Sequence, residues 1–405
     1  MGLLRRKKEA IQRMRKENTH TITCLHCFRR FGHDEIMFRA LETLDADGYS
    51  ARYDDVLDSY RFRFGLDSAG EVEVVLDPVD FEESSKNYHK GILVSLTDDY
   101  DNITTKRICP FCHNELHPGA GFSPSVIFSI TGATRSGKSV FFTCLINYLR
   151  SKTSKTFPSF CVPINSEVAR NFKHGLAAPL IENGILPISA LLKEFPEAPL
   201  VFSFSLADDE SSEVHIVFFD PVGDSLCMDI HNALMKSSSG VMMLVDPLGI
   251  PYFGRELAEK TDPDFAPLFF TEPSDDMGIM LLEHAKKIPI AVVLTKTDLL
   301  KSVIGENELF DHLSAVFEDY HHSGFFVLSE FNEIDSEISV FFEEECPNFY
   351  NALQKRYGAN LGFFGVSSLG ERPNAGQVAA VNPVRIDEPF LWLLYKMGLI
   401  PAGGE

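Results

Sequence analysis

The octapeptide Gly132-Ala133-Thr134-Arg135-Ser136-Gly137-Lys138-Ser139 constrains this chain more than any other stretch. The apolar run Val126–Ile130 leads into it, and Val140-Phe141-Phe142 opens a helix-compatible segment behind it. Between a strand and a helix, the G-x-x-x-x-G-K-S spacing lets the backbone turn tightly, so that successive N–H groups converge on one anion. The helix adds the positive end of its dipole to the same point. In that geometry Gly132, Thr134, Arg135, Ser136, Gly137 and Val140 wrap a nucleotide's phosphates. Lys138 reaches the β- and γ-phosphates, and the Ser139 hydroxyl faces Mg²⁺. The alternative is a glycine-rich turn that holds no ligand.

From about residue 125 onward, short apolar runs alternate with longer helix-compatible stretches, the pattern of parallel α/β architecture. Strands are predicted at Val126–Ile130, Val201–Ser205, Val214–Phe219, Val241–Val245, Ile290–Leu294 and Phe363–Val366. Helices are predicted at Lys138–Arg150, Ser225–Lys236, Asp276–Lys287, Leu309–His322 and Cys346–Tyr357. Runs without alternation suit strands covered on both faces. The apolar end, Pro389 to Tyr395, holds the only tryptophan and reads as a closing helix on the sheet. The expected fold is α/β, a P-loop NTPase three-layer fold with a mostly parallel sheet. A small split zinc-ribbon module with an insertion precedes it. The expected organisation is a basic helical arm (1–20), that module (21–122, acidic insertion at about 40–105) and a P-loop domain (123–405).

Three more segments fall downstream in a telling order. His215–Asp220 is an apolar strand ending in a carboxylate, followed by Pro221-Val222-Gly223. Asp220 can hold Mg²⁺ and the Gly223 amide can meet a γ-phosphate. Ile290–Leu294 then runs into Thr295-Lys296-Thr297-Asp298. A carboxylate at Asp298 can accept from both N–H donors on the edge of guanine, while the Lys296 stem covers the base plane. Adenine leaves that acid unpaired. An ordinary Lys/Asp helix start is the alternative. Amides near Ser367 and Ser368, in Gly365–Gly370, can touch the guanine carbonyl oxygen.

Eight cysteines include two C-x-x-C pairs, Cys24/Cys27 and Cys109/Cys112. Each is a knuckle able to present two thiolates to one tetrahedral ion, and together they make a closed, structural Zn²⁺ site. Free thiols or two separate sites remain open, and His26, His33, His113 and His117 lie close enough to compete as ligands. Net charge is −21, which gives no nucleic-acid signal. Residues 1–30 nevertheless carry nine Lys or Arg against two Glu, either a docking arm or a solvated helix start. The longest apolar runs are too short to span a bilayer and no secretory signal is visible, so a cytoplasmic location is expected.

The set G-x-x-x-x-G-K-S, D-x-x-G, T-K-x-D and V-S-S resembles the translation-factor and Ras class of P-loop GTPases, over about residues 123–405. With the two cysteine knuckles and the P-F-L-W-L-L ending, the chain is similar more narrowly to bacterial double-GTPase families linked to conflict and defence operons. The resemblance implies a GTP/GDP switch with Mg²⁺, acting through protein partners such as an activating or effector subunit, with oligomerisation open. Lys138, Asp220, Gly223 and Asp224 would be its catalytic group. Where that class orients water with a Gln after D-x-x-G, this chain has Asp224, which implies slow intrinsic hydrolysis. Ser189 is the substitute for the class's switch threonine at Mg²⁺. An ATPase of another P-loop class, a nucleotide kinase, and a zinc-ribbon interaction protein with a purely structural P-loop are the rival readings.

Overall fold

The computed structural model describes residues 21–41, 48–63, 67–122, 125–133, 136–156, 159–163, 169–170, 172–187, 200–206, 209–219, 236–250, 288–301 and 314–403. The predictions at Thr134, Arg135, Ser189, Asp220, Gly223 and Asp224 lie outside these residues, as do the basic arm, the helix at 276–287 and nearly all of that at 225–236.

A seven-stranded sheet organises the larger part. Its strands are β1 (Ser125–Gly132), β2 (Ser159–Pro163), β3 (Leu200–Leu206), β4 (Asp209–Phe219), β5 (Gly240–Val245), β6 (Ile290–Leu294) and β7 (Leu361–Gly365). They lie in the order β2-β3-β4-β1-β5-β6-β7. From β4 to β7 every pairing is parallel; β2 and β3 add antiparallel strands at one edge. β2 is a strand that the periodicity of the sequence did not announce.

Five helices bear on the site and on the cores around the sheet: α1 (Lys138–Tyr148), α2 (Thr297–Lys301), α3 (Leu328–Glu345), α4 (Pro347–Tyr357) and α5 (Glu388–Lys396). Alternate residues of one strand feed opposite cores, because successive side chains point to opposite faces. Met242 and Leu244 of β5 join α1 and α5 on one side. Val241, Met243 and Val245 join α3 and α4 on the other. The uninterrupted apolar runs are therefore strands buried on both faces. Trp392 of α5 packs directly against β7: a Cβ on Gly362 would come within 2.8 Å of its ring.

Two predicted helices are corrected. α1 stops at Tyr148 and passes into a π-turn, Leu149–Thr153, instead of running to Arg150. Of the helix predicted at Leu309–His322, the described part holds only a 3₁₀ turn at Ala315–Phe317. Tertiary bonds outcompete helix there. The Ala315 carbonyl accepts from Arg385 Nε (2.8 Å), and Asp319 Oδ1 accepts the Arg385 backbone N–H (3.0 Å). The longest helix among the described residues, α3, was not predicted. Its buried Ile334, Ile338, Phe341 and Phe342 nonetheless have helical i, i+4, i+7, i+8 spacing.

Residues 22–122 contribute a third, separate core with Phe31, Phe38, Leu76 and Leu96. Their strands are short: Thr21–Thr23 pairs with Arg30–Gly32, and Met37–Arg39 lies between Arg107–Ile108 and Val75–Leu76. A helix, Asp55–Arg63, and a three-stranded sheet built on Ile92–Thr97 complete the described part. The strand-like stretch 71–76 is two short strands, Glu71–Val72 and Val75–Leu76.

Candidate functional site

Parallel strands bring their C-terminal loops to one edge of a sheet. At that edge β1 has β4 on one side and β5 on the other, the switch point where open α/β sheets offer a crevice. The loop leaving β1 is the glycine-rich octapeptide. Gly132 packs so closely on β5 that a Cβ would sit 2.5 Å from Ser136 Oγ and 2.7 Å from the Leu244 carbonyl oxygen. Gly137 takes φ +87°, in the left-handed region that glycine adopts without strain, and its carbonyl accepts the Phe141 N–H (2.8 Å) to start α1. Lys138 Nζ donates to the carbonyls of Gly132 (3.1 Å) and Ala133 (3.2 Å), which sets an ammonium over the mouth of the turn. Ser139 and Val140 follow on the first turn of α1, and Thr143 Oγ1 donates to the Ser139 carbonyl (2.7 Å).

The loop after β6 is laced to this turn. Thr295 Oγ1 lies within hydrogen-bonding reach of the carbonyls of Ser136 (3.2 Å) and Val245 (3.1 Å), so one hydroxyl bridges the β1, β5 and β6 loops. Lys296 adopts φ +54°, and its ammonium pairs with Asp246 Oδ2 (2.5 Å). Asp246 is itself fixed, because its Oδ1 accepts the Leu248 N–H (3.0 Å) in the turn that follows β5. Asp246 was missed in the sequence. The available signal was a carboxylate directly after an apolar strand, the same signal that picked out Asp220.

Asp298, at the start of α2, accepts a hydrogen bond from Ser367 Oγ (2.5 Å). Ser367 Oγ also accepts the Gly370 N–H (2.9 Å), and the Thr297 N–H reaches the Val366 carbonyl (3.3 Å). Burial pushes the Asp298 carboxyl above its ordinary range, partly offset by the Ser367 bond. Segments far apart in sequence, 132–139, 295–298 and 366–370, therefore meet at one sheet edge, with a cation over one end and a half-buried acid at the other. β4 reaches the same edge through its parallel pairing with β1, where Phe219 lies opposite Ser129.

The second site lies in the N-terminal core. The sulfurs of Cys24, Cys27, Cys109 and Cys112 all lie within 4.8 Å of one another. Cys24 and Cys112 are 3.6 Å apart and Cys27 and Cys109 3.7 Å; a tetrahedral ion bound through sulfur at 2.3 Å requires about 3.8 Å. The two knuckles repeat one backbone design. In each, the first Cys N–H bonds a carbonyl five residues on, and its own carbonyl takes the N–H four residues on. The residue after the second Cys is left-handed, Phe28 at φ 59° and His113 at φ 53°. The His26 and Phe111 N–H groups point at Cys24 and Cys109 sulfur (3.4 Å each), the outer-shell bonds that steady thiolate ligands. Hydrogen bonds from Cys109, Cys112 and Cys24 pull the Cys27 thiol down, while burial pushes Cys24 up.

The nearby histidines are not part of this set. Burial pushes His26 down to about 4 and keeps it neutral. His113 Nδ1 instead faces Asp54 (2.9 Å), which also accepts from Arg39 Nη2 (2.6 Å) and from the Val56 and Leu57 N–H groups at the start of helix 55–63. Burial alone would raise the Asp54 carboxyl, but the hydrogen bonds from Leu57, Arg39 and His113 win and hold it below the usual range. This Arg39–Asp54–His113 cluster locks the second knuckle to the helix and was not legible as a unit in the sequence.

No protein-family model matches the chain, and no curated protein matches it. Among solved structures it is similar to the crystal structure of the bacterial selenocysteine-specific elongation factor EF-Sec, at 15% sequence identity and a TM-score of 0.27. That match covers 67% of this chain and 29% of the other, so the chain spans less than a third of that protein's length. What the geometry itself defines is an α/β protein with a parallel sheet and a four-cysteine cluster of metal-binding shape. No helix among the described residues is long and apolar enough to cross a membrane.

Proposed function

We propose that this chain is a guanine-nucleotide-binding switch with slow intrinsic hydrolysis, carrying a structural zinc site in its N-terminal part. The observation that carries the reading is the lacing of three motif segments at one edge: Thr295 to Ser136, and Ser367 to Asp298. Ser367 donates to one oxygen of Asp298 and so orients the carboxylate that would accept from the donor edge of guanine. Gly132, Ser136, Gly137 and Lys138 would hold the phosphates, together with Thr134, Arg135 and Val140. Ser139 and Asp220 would hold Mg²⁺, with Ser189 a further candidate, and Lys296 would lie over the base while Ser368 approaches its carbonyl oxygen. Mg²⁺ in such a site neutralises charge between the β- and γ-phosphates. Asp224 cannot donate to water as a glutamine amide does, so turnover awaits a group from a protein partner, such as an arginine finger. Cys24, Cys27, Cys109 and Cys112 would hold Zn²⁺ with no open position, a structural and not a catalytic role.

Asp298→Asn tests the base assignment. The new amide donates where the carboxylate accepted, so preference should move from guanine toward xanthine nucleotides by about a hundredfold or more. Unchanged preference in a fluorescent-nucleotide competition assay would remove Asp298 from the base site.

A further inference from the structure

A cleft of about 840 Å³ lies where the first knuckle, helix 55–63 and the Lys236-Ser237 segment meet. At it the 236–237 segment touches the N-terminal part, where Ser237 Oγ donates to the Phe28 carbonyl (3.1 Å). Arg29, Arg63 and Lys236 line it with one carboxylate, Asp55, and the knuckle residues His26, Cys27 and Cys112 line it too. In a chain of net charge −21, three cations gathered about one opening mark it out. Phe111, 39% exposed at the tip of the second knuckle, supplies an apolar wall, and the Arg29 guanidinium lies 5.1 Å from its ring centroid. Cations interleaved with an aromatic surface call for an occupant that is acidic and bears a ring.

The same chain carries a knob of that chemistry. Asp98 is buried, and its Oδ1 accepts the Tyr100 and Asn102 N–H groups (2.9 Å each), while its own N–H reaches the Asn102 carbonyl (2.8 Å). This closes a rigid turn that pushes Tyr100 outward, 47% exposed, with exposed Asp99 and Asp101 on either side. Tyr49 steadies it from behind, edge-on to Tyr100 at 5.1 Å and donating to Asp99 Oδ2 (2.9 Å). Such a preformed loop loses little entropy on docking.

We propose that the cleft receives the Asp98–Asn102 knob of a second copy of this chain, so that the protein self-associates head to tail. Tyr100 packs against Phe111, and Asp99 and Asp101 face Arg29, Arg63 and Lys236. The two patches differ, so the contact is heterologous and either closes into a ring or extends. A polyanionic nucleic acid is the rival occupant; the chain's net charge opposes either, and the preformed, aromatic-tipped Asp98–Asn102 turn is what favours a second copy.

Sedimentation velocity on the full chain tests this. Wild type should self-associate, and more weakly as salt rises from about 0.05 to about 0.5 M. Arg63→Glu/Lys236→Glu removes the socket and Tyr100→Ala/Asp101→Lys removes the knob; each alone should weaken association by at least about tenfold. Mixing the two variants restores one intact socket and one intact knob, and should yield a one-to-one complex that grows no further. A wild type that stays monomeric up to about 100 μM, far above the concentration that self-association of micromolar strength requires, would overturn the proposal. So would variants that associate as wild type does, or a mixture that forms no complex. A labelled oligothymidylate bound by monomeric wild type and lost in the socket variant would assign the cleft to single-stranded nucleic acid instead.

Discussion

The N-terminal part and the sheet solve the same problem with different materials. β5, β6 and β7 are buried along their whole length and need nothing but apolar neighbours on two faces. Around the cysteines, strands of two to six residues enclose a small core, too little apolar burial to offset chain entropy unaided. That region substitutes four converging thiols and a buried Arg39–Asp54–His113 cluster for area. Cross-links and ion pairs can replace a large core, but the fold then depends on a few atoms and on the state of their protons.

Metal removal should expose that dependence most strongly. Structural zinc sites contribute on the order of 10 kcal/mol, so a chelator or Cys112→Ser should abolish the N-terminal melting transition in calorimetry. The sheet's transition should stay within about 1 kcal/mol of its original stability. Loss of both transitions together would mean that the two regions are one cooperative unit.

Next in size are matched truncations. Trp392→Ala should cost about 3–5 kcal/mol by leaving a cavity over Gly362. Arg39→Ala should cost a similar 3–5 kcal/mol by stranding Asp54 without its guanidinium. Each loss should appear in its own transition under chemical denaturation. Arg39→Ala lowering the sheet's transition would break the contrast.

The smallest effect is a difference in sign with pH. Asp54 titrates below the ordinary carboxylate range, so its stabilisation is present at neutral pH and fades as pH falls through the folded-state value. Asp387, buried beside Thr153 at the head of α5, is pushed up to about 6 chiefly by burial. Its ionisation therefore works against the fold above that pH. Asp387→Asn should stabilise the sheet region by roughly 1–3 kcal/mol near pH 8, a gain that vanishes toward pH 4. Melting curves at both pH values check this, and a gain independent of pH would assign it to packing.

How much of the molecule was legible in the sequence follows the same division. All six predicted strands appear; in β5 and β6 the reason is plain, since a strand covered on both faces is an unbroken apolar run. β2 escaped because Pro163 and Cys161 dilute its signal, and in the described part of the helix predicted at Leu309–His322, residues 314–322, bonds to buried Arg385 override the apolar spacing. In the site, Lys138, Thr295, Asp298 and Ser367 were readable from motif spacing. Asp246 carried a usable signal, a carboxylate directly after an apolar strand, that was passed over, whereas the Arg39–Asp54–His113 cluster is assembled by the fold across gaps that no local pattern marks.

If the edge joining the β1, β6 and β7 loops selects a guanine nucleotide, titrating the purified chain with fluorescent GTP and ATP analogues in the presence of Mg²⁺ will show it. Saturable binding of GTP is expected, with ATP at least about a hundredfold weaker. Equal affinity for the two, preference for ATP, or no binding of either would contradict it.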